Sequence, residues 1–159
     1  DALYFFLLRQ SNAELAADIS QQCWLQLLEK PKQFQGDCSV KTWLFTLARN
    51  EFCDEFRRQQ RWGFAELTET TLHPLSLAST DVDANPAEHL LVAQQQQQCL
   101  SRAIRQLPLL QQEALLLQLE GFSLEEIASI SGSAAETVKS RLRYARASLS
   151  QALEHYHDL

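Results

Sequence analysis

Lys139, Arg141, Arg143 and Arg146 lie within eight residues of one another. Ammonium and guanidinium groups donate to phosphates and to the acceptor edges of bases, so such a cluster on one helix suits nucleic acid. By itself a basic run is more often the solvated end of a helix, where the macrodipole favours it. The residues in front of it decide between the two. In the stretch from Phe122 to Arg146, FSLEEIASISGSAAETVKSRLRYAR, the S-x-x-E spacing of a capping box occurs twice, at Ser123 with Glu126 and at Ser133 with Glu136. Gly132 stands between the two starts, where a left-handed residue would turn the chain. Small Ala128 permits a close crossing, and Val138 supplies a buried contact. The pattern predicts a helix-turn-helix, and with it DNA binding.

The second helix of this unit has two faces. At about 100° per residue, Val138, Leu142, Ala145 and Leu149 align toward a core. Glu136, Ser140 and Arg143 lie opposite, flanked by Lys139 and Arg146 on one side and by Thr137 and Tyr144 on the other. These residues are the candidate DNA contacts. Arg141 joins them, although it projects nearer the buried edge.

The elements that must position this helix are themselves helical. Glycine and proline are scarce, at four each in 159 residues, and helix formers dominate, so the expectation is an all-α protein of one or two small domains. Membrane-spanning apolar runs and a cleavable signal are lacking, which points to the cytoplasm. The chain opens at Asp1 without methionine, as expected where a natural start lies upstream. The net charge of −6 argues against a protein that coats DNA indiscriminately. Its distribution says more. Residues 64–92 hold acids but no lysine or arginine, while the bases gather at Arg49 to Arg61 and Lys139 to Arg146. Cys23, Cys38, Cys53 and Cys99 form no C-x-x-C pair, and the histidines no H-E-x-x-H pattern, so neither a metal nor another cofactor is expected. Free thiols in a reducing compartment are the simpler reading.

Along the chain, residues 1–9 form an apolar helical stub. Ser11 and Glu14 carry another capping-box spacing and open a helix through about Leu28, with Leu15, Ile19, Cys23 and Leu27 as its buried stripe. Lys30-Pro31 ends it. A loop around Gly36-Asp37 leads into a long helix from about Ser39 to about Gln60. Val40, Leu44, Leu47 and Ala48 make its expected inner face, broadened by Trp43, Phe52 and Phe56. Residues 64–85 read as a flexible acidic linker. Asn85-Pro86-Ala87-Glu88 looks like a helix start. The Gln94–Gln98 run is a solvated face of the helix that follows. Leu107-Pro108 restarts the chain into LLQQEALLLQLE, closed by Gly121. Two helical domains are therefore expected, residues 1–63 and 86–159.

These segments together resemble a bacterial RNA polymerase sigma factor of the extracytoplasmic-function group of the sigma-70 family. Three stretches carry the resemblance. AADISQQCWLQLL is similar to a D-x-x-Q-x-x-F segment of the family, with Asp18 and Gln21 in place. FQGDCSVKTWLFTLARNEFCDEFRRQQR is similar to the segment that contacts the −10 promoter element. LPLLQQEALLLQLEGFSLEEIASISGSAAETVKSRLRYAR is similar to the fourth region, which reads the −35 element. The resemblance implies docking on core RNA polymerase through Asp18, Gln21, Gln22 and Trp24. It implies −10 contacts by Asp37, Ser39, Lys41 and Thr42, with Arg49, Asn50, Arg57 and Arg58 on phosphates. It implies −35 contacts by Glu136, Thr137, Lys139, Ser140, Arg141, Arg143, Tyr144 and Arg146. An anti-sigma factor, often membrane-anchored in the family, is the further partner implied. The sequence departs from the family pattern at Gln22, where glutamate is usual, and at Val40-Lys41, often an aromatic pair. Ser131 and Ser133 stand where apolar residues are common, and Ser131 has no evident role.

Two other functions compete with this one. A stand-alone helix-turn-helix regulator would dimerise and bind a palindrome unaided. An enzyme would need a nucleophile–base pair, a metal spacing or a phosphate loop, and the sequence offers none of them.

Overall fold

The computed structural model describes residues 1–59 and 88–157, with side chains described from Gln94 in the second of these segments. The linker read at residues 64–85 and the helix start at Asn85–Ala87 lie outside the described residues. All regular structure among the described residues is helical. In chain order the helices are α1 (Ala2–Leu8), α2 (Ala13–Glu29), α3 (Val40–Gln59), α4 (Glu88–Arg105), α5 (Leu109–Leu119), α6 (Leu124–Ser131) and α7 (Ala135–His157), with one 3₁₀ turn at Pro31–Gln33.

Local chemistry sets the helix starts. Asp1 accepts from the Leu3 amide at 3.0 Å, and its second oxygen accepts from the Trp24 indole at 2.9 Å, which ties the start of α1 to α2. The cap of α2 is Asn12, which accepts from Leu15 N at 2.8 Å, not Ser11 as the spacing suggests. Ser11 instead turns back and donates to the Leu7 carbonyl at 2.7 Å. Ser39 caps α3 by accepting from Thr42 N at 3.1 Å. At α6 the capping box forms in full: Glu126 N donates to Ser123 Oγ, and Ser123 N donates to the Glu126 carboxylate at 2.7 Å. The second box does not form. Helix α7 begins at Ala135, so Ser133 sits one residue too early to cap it, and its hydroxyl accepts from Arg141 at 2.8 Å.

Helices α5 and α6 stop by the same device. Gly121 and Gly132 have φ of 91° and 63°. Beyond α5, Phe122 N donates to Leu117 O and Gly121 N to Gln118 O; beyond α6, Ser133 N donates to Ala128 O and Gly132 N to Ser129 O. Both are Schellman closures, which satisfy carbonyls the helix end would leave unpaired. Ser131 gains a role here: its buried hydroxyl donates to the Ile127 carbonyl at 2.7 Å, so a polar residue fits an apolar turn.

One hydrophobic core runs through both halves of the chain. Leu3, Phe6 and Leu7 of α1, Ile19 and Cys23 of α2, and Leu44, Phe45, Ala48 and Phe52 of α3 form the first part. Leu116 and Leu117 of α5, Ile127 and Ile130 of α6, and Val138, Leu142 and Ala145 of α7 form the second. Phe45 joins them, with ring centroids 5.2 Å from Phe6 and 4.9 Å from Phe122. Of the expected inner face of α3, Leu44, Ala48 and Phe52 are buried, but Val40 is 42% exposed, and Thr42 and Phe45, not expected there, are buried as well. The helix packs on α2 along one side and on α6 along the other, so its buried arc is turned away from Val40.

Nothing lies within 4 Å of a Cβ built on Gly132, so a substitution there meets backbone cost alone. Gly132→Ala should lower stability by about 1–2 kcal/mol and Gly132→Asn by less, because asparagine tolerates the left-handed region. Urea denaturation of the three proteins checks this; equal midpoints would mean that the turn does not hold α7.

Candidate nucleic-acid and polymerase-binding surfaces

Helix α7 presents its candidate DNA residues on a scaffold fixed from beneath. Val138 and Ala145 are fully buried and Leu142 nearly so, which fixes the rotation of the helix on α5 and α6. Glu136, Lys139, Arg143, Tyr144 and Arg146 are exposed, and Thr137 and Ser140 half-buried. Lys139 Nζ donates to Glu136 Oε1 at 2.8 Å, and this hydrogen bond raises the lysine pKa, so the ammonium stays charged. The Arg143 guanidinium lies 5.2 Å from the centre of the Tyr144 ring. Such a cation–π contact at an exposed site is worth about 0.5–1 kcal/mol and narrows the directions in which the fork points. Arg146 donates to Gln118 of α5 at 2.6 Å. Arg141 does not stand on the outward face. It is 9% exposed, and its guanidinium donates inward to Ser133. That inward turn makes it a brace for the turn between α6 and α7 rather than a base reader.

The residues expected at the −10 element divide into two groups. Asp37, Asn50, Arg57 and Arg58 are exposed, the arginines pairing weakly with Asp54 and Glu55 at 3.3 and 3.4 Å. Ser39 spends its hydroxyl on the cap and on Thr42 Oγ1, 2.9 Å away. Lys41 and Arg49 face the second half of the chain instead. Lys41 Nζ donates to the Glu120 carbonyl at 2.7 Å and stands 4.7 Å from the centre of the Phe122 ring. Thr42 is 3% exposed. Arg49 Nε donates to both carboxylate oxygens of Glu113 at 3.3 Å.

Glu113 was not singled out in the sequence. Its signal was available: an acid inside the apolar run LLQQEALLLQL must be buried or break the stripe, and a buried acid needs a cation. Burial pushes its carboxyl upward, while Arg49 first and Arg141 second pull it back. Two guanidiniums from two different helices thus share one carboxylate.

On α2, Asp18, Gln21 and Gln22 are exposed, as is Trp24. Leu25 and Leu28 extend the same side as uncovered apolar residues, Leu28 at 75% exposure. A polar face edged with bare leucine and tryptophan has the composition of a binding surface.

Among the described residues no group of His, Cys, Asp and Glu could hold a metal ion, and no helix is long and apolar enough to cross a membrane. The cysteines are free and differ in exposure. Cys38 is exposed in the loop before α3. Cys23 and Cys53 are buried, which pushes both thiols up, Cys23 to about 11.

Comparison with known proteins follows the same division of the chain. Residues 2–62 match the family described as Sigma-70 region 2, and residues 97–149 match Sigma-70, region 4. The chain is 33% identical to the ECF RNA polymerase sigma factor EcfG of Rhodopseudomonas palustris over 94% of its own length and 77% of that protein. It is 28% identical to the RNA polymerase sigma factor YlaC of Bacillus subtilis over 95% of its length and 84% of the relative's. The fold is similar to that of the sigma factor RpoE of Bartonella quintana, solved in complex with the anti-sigma factor NepR. The TM-score is 0.68 at 30% identity, covering 96% of this chain and 90% of that one.

A thiol reagent at pH 8 should modify Cys38 quickly and leave Cys23 and Cys53 until urea unfolds the protein. Below about 11 the Cys23 thiol is neutral and shielded, hence unreactive. Peptide mapping by mass spectrometry after timed labelling reads the order. Early modification of Cys53 would contradict the burial of α3 described above.

Proposed function

Because the chain belongs to the extracytoplasmic-function group of the sigma-70 family, and so is an alternative sigma factor directing promoter-specific transcription, we propose how its residues divide that task. Residues 1–63 form the unit that docks on core RNA polymerase and meets the −10 element. Residues 86–159 form the unit that reads the −35 element, and the acidic stretch 64–85 links them. The protein acts in the cytoplasm as a binding factor and not as an enzyme.

The observation that carries this reading is the outward face of α7. Glu136, Lys139, Ser140 and Arg143 recur at helical spacing on a helix whose opposite side is locked into the core. An α-helix fits the major groove, where arginine or lysine donates to guanine and glutamate accepts from cytosine. Arg146 and Thr137 lie at the margins, where phosphates pass. Arg141 is left out of this set for the reason given above. At the −10 element the duplex opens, and a base leaves the stack at a cost of a few kcal/mol. The exposed loop with Asp37, and Asn50, Arg57 and Arg58 along α3, offer polar and phosphate contacts to offset it. Polymerase docking falls to Asp18, Gln21, Gln22 and Trp24, extended by Leu25 and Leu28. An anti-sigma factor is a further partner by analogy with the RpoE–NepR complex.

The test is run-off transcription with sigma-free bacterial core polymerase on fragmented genomic DNA, with and without this chain. Transcripts with defined starts are expected only when the chain is added. Absence of transcripts together with tight DNA binding by the chain alone would turn the reading to a stand-alone regulator. On a promoter so identified, Arg143→Ala should reduce initiation about five- to a hundred-and-fifty-fold, the loss of one good base contact worth about 1–3 kcal/mol. An unchanged rate would remove Arg143 from the reading face.

A further inference from the structure

The cations of α7 are held in chemically different ways. Lys139 Nζ donates to a carboxylate, that of Glu136, at 2.8 Å within the helix itself. Arg141 donates inward to Ser133, and Arg143 lies against the Tyr144 ring. Arg146 Nη2 donates to Gln118 Oε1 at 2.6 Å, across 28 positions of sequence and from one helix to another. Gln118 stands on α5, outside the two helices of the helix-turn-helix.

Both ends of that bond are fixed from beneath. Leu116 and Leu117, which precede Gln118, are fully buried. The backbone carbonyl of Gln118 accepts from Gly121 N at 3.0 Å in the closure of α5. On α7, Ala145 is fully buried beside Arg146, and α5 and α7 pack directly on one another. A half-buried amide on a rigid helix end thus meets an exposed arginine.

Resting on the reading of α7 given above, we propose that Gln118 is a positioning residue for DNA binding: it aims the Arg146 guanidinium at a phosphate beside the −35 site and leaves its charge intact. A guanidinium carries five N–H donors in a planar fork, and one bond to Gln118 leaves the others for the phosphate. The planar group cannot swing away from a fixed acceptor without losing the bond, so its free edge keeps one direction. The acceptor is a neutral amide. A carboxylate in its place would orient the arginine equally well but cancel, at close range, the charge that attracts the phosphate. An arginine with no acceptor beside it would keep its charge but would have to order a long side chain at each binding event. Gln118 avoids both losses.

Two substitutions separate these effects. Gln118→Leu removes the acceptor, and Gln118→Glu keeps the acceptor but neutralises the cation. Each full chain is combined with sigma-free core polymerase. Its affinity for a labelled promoter duplex, obtained from the run-off assay above, is read by anisotropy across a salt series. Gln118→Leu is expected to weaken binding about two- to twelvefold, the ordering cost of one long side chain, with the salt slope retained. Gln118→Glu is expected to lower the log–log slope by about 0.9, the share of one phosphate on duplex DNA. The losses should be equal on promoters with substituted −35 bases, because a phosphate contact carries no sequence information.

The deciding arm is the Arg146→Gln background. There Gln118→Leu should change nothing, since the residue acts through Arg146 alone. Wild-type affinity for Gln118→Leu would overturn the proposal, as would an unchanged slope for Gln118→Glu. So would a loss of the same size with and without Arg146, which would make Gln118 a structural residue of α5. Should Gln118→Leu lose helicity by circular dichroism, Gln118→Ala takes its place and must meet the same outcomes. A failure of the sigma-factor reading shows as absent transcripts whichever residue stands at 118, and the cycle is then run on the duplex that the chain binds alone. A failure of the positioning role leaves transcription in place and shows as zero coupling between Gln118 and Arg146.

Discussion

The carboxylate of Glu113 sits where three helices meet, with 2% of its side chain exposed. A charge at that depth tolerates no vacancy around it, so the elements that carry its cations are constrained together. Arg49 brings α3 and Arg141 brings α7, while Glu113 itself belongs to α5. The apolar contacts of Val138, Leu142 and Ala145 fix the rotation of α7, and the bond from Arg49 to Glu113 adds a directional contact on α3. Together they set which face of each helix points inward, and by subtraction which face is left for a partner. On α7 the outward face is Glu136, Lys139 and Arg143. On α3 it is Asn50, Arg57 and Arg58.

The turns complete what the ion pair begins. Helix α6 is only eight residues long and would be marginal on its own. Its full capping box at one end and its Schellman closure at the other leave few unpaired backbone groups. Its direction is then passed to α7 through a single left-handed glycine. Ser131 and Ser133 belong to this arrangement: one hydroxyl satisfies a carbonyl of the preceding turn, and the other receives Arg141. Two serines in a position suited to apolar residues thus cost little, because each is hydrogen-bonded.

The sequence made most of the local structure legible, because that structure depends on local chemistry. Gly132, Ser123 with Glu126, and Pro31 each act within a few residues of themselves, and their spacing reveals them. The periodic stripe of α2 and the apolar face of α7 are equally plain. Two capping boxes were misread for a common reason: S-x-x-E spacing shows that a cap is possible, while tertiary partners decide which residue supplies it. Asn12 displaces Ser11 because Ser11 is taken up by the end of α1. Ser133 is taken up by Arg141. The face of α3 was read only in part: Leu44, Ala48 and Phe52 are buried as expected, whereas Val40 is exposed and Thr42 and Phe45 were missed, because periodicity assumes a single partner and this helix has two. Its second stripe, Thr42, Phe45 and Arg49, is partly polar and does not register as core. Glu113 is the clearest case of information present but not decoded. An acid in an apolar helix announces a buried pair, yet nothing local says that its cations lie on α3 and α7.

The charge distribution bears on how such a protein works. A chain of net charge −6 is repelled by DNA at long range, and its bases are few and local. Several of them are also paired with acids, among them Arg49 with Glu113 and Lys139 with Glu136. Each engagement subtracts from nonspecific affinity, which scales with the number of phosphates neutralised. Specific affinity suffers less, since base contacts and shape contribute there as well. On the proposed reading, two DNA-reading surfaces held on one scaffold gain by effective concentration once both can reach their sites, and gain nothing when geometry forbids it. Restraint on the charges then penalises binding to random DNA and leaves full affinity to the situation in which both surfaces are engaged at once.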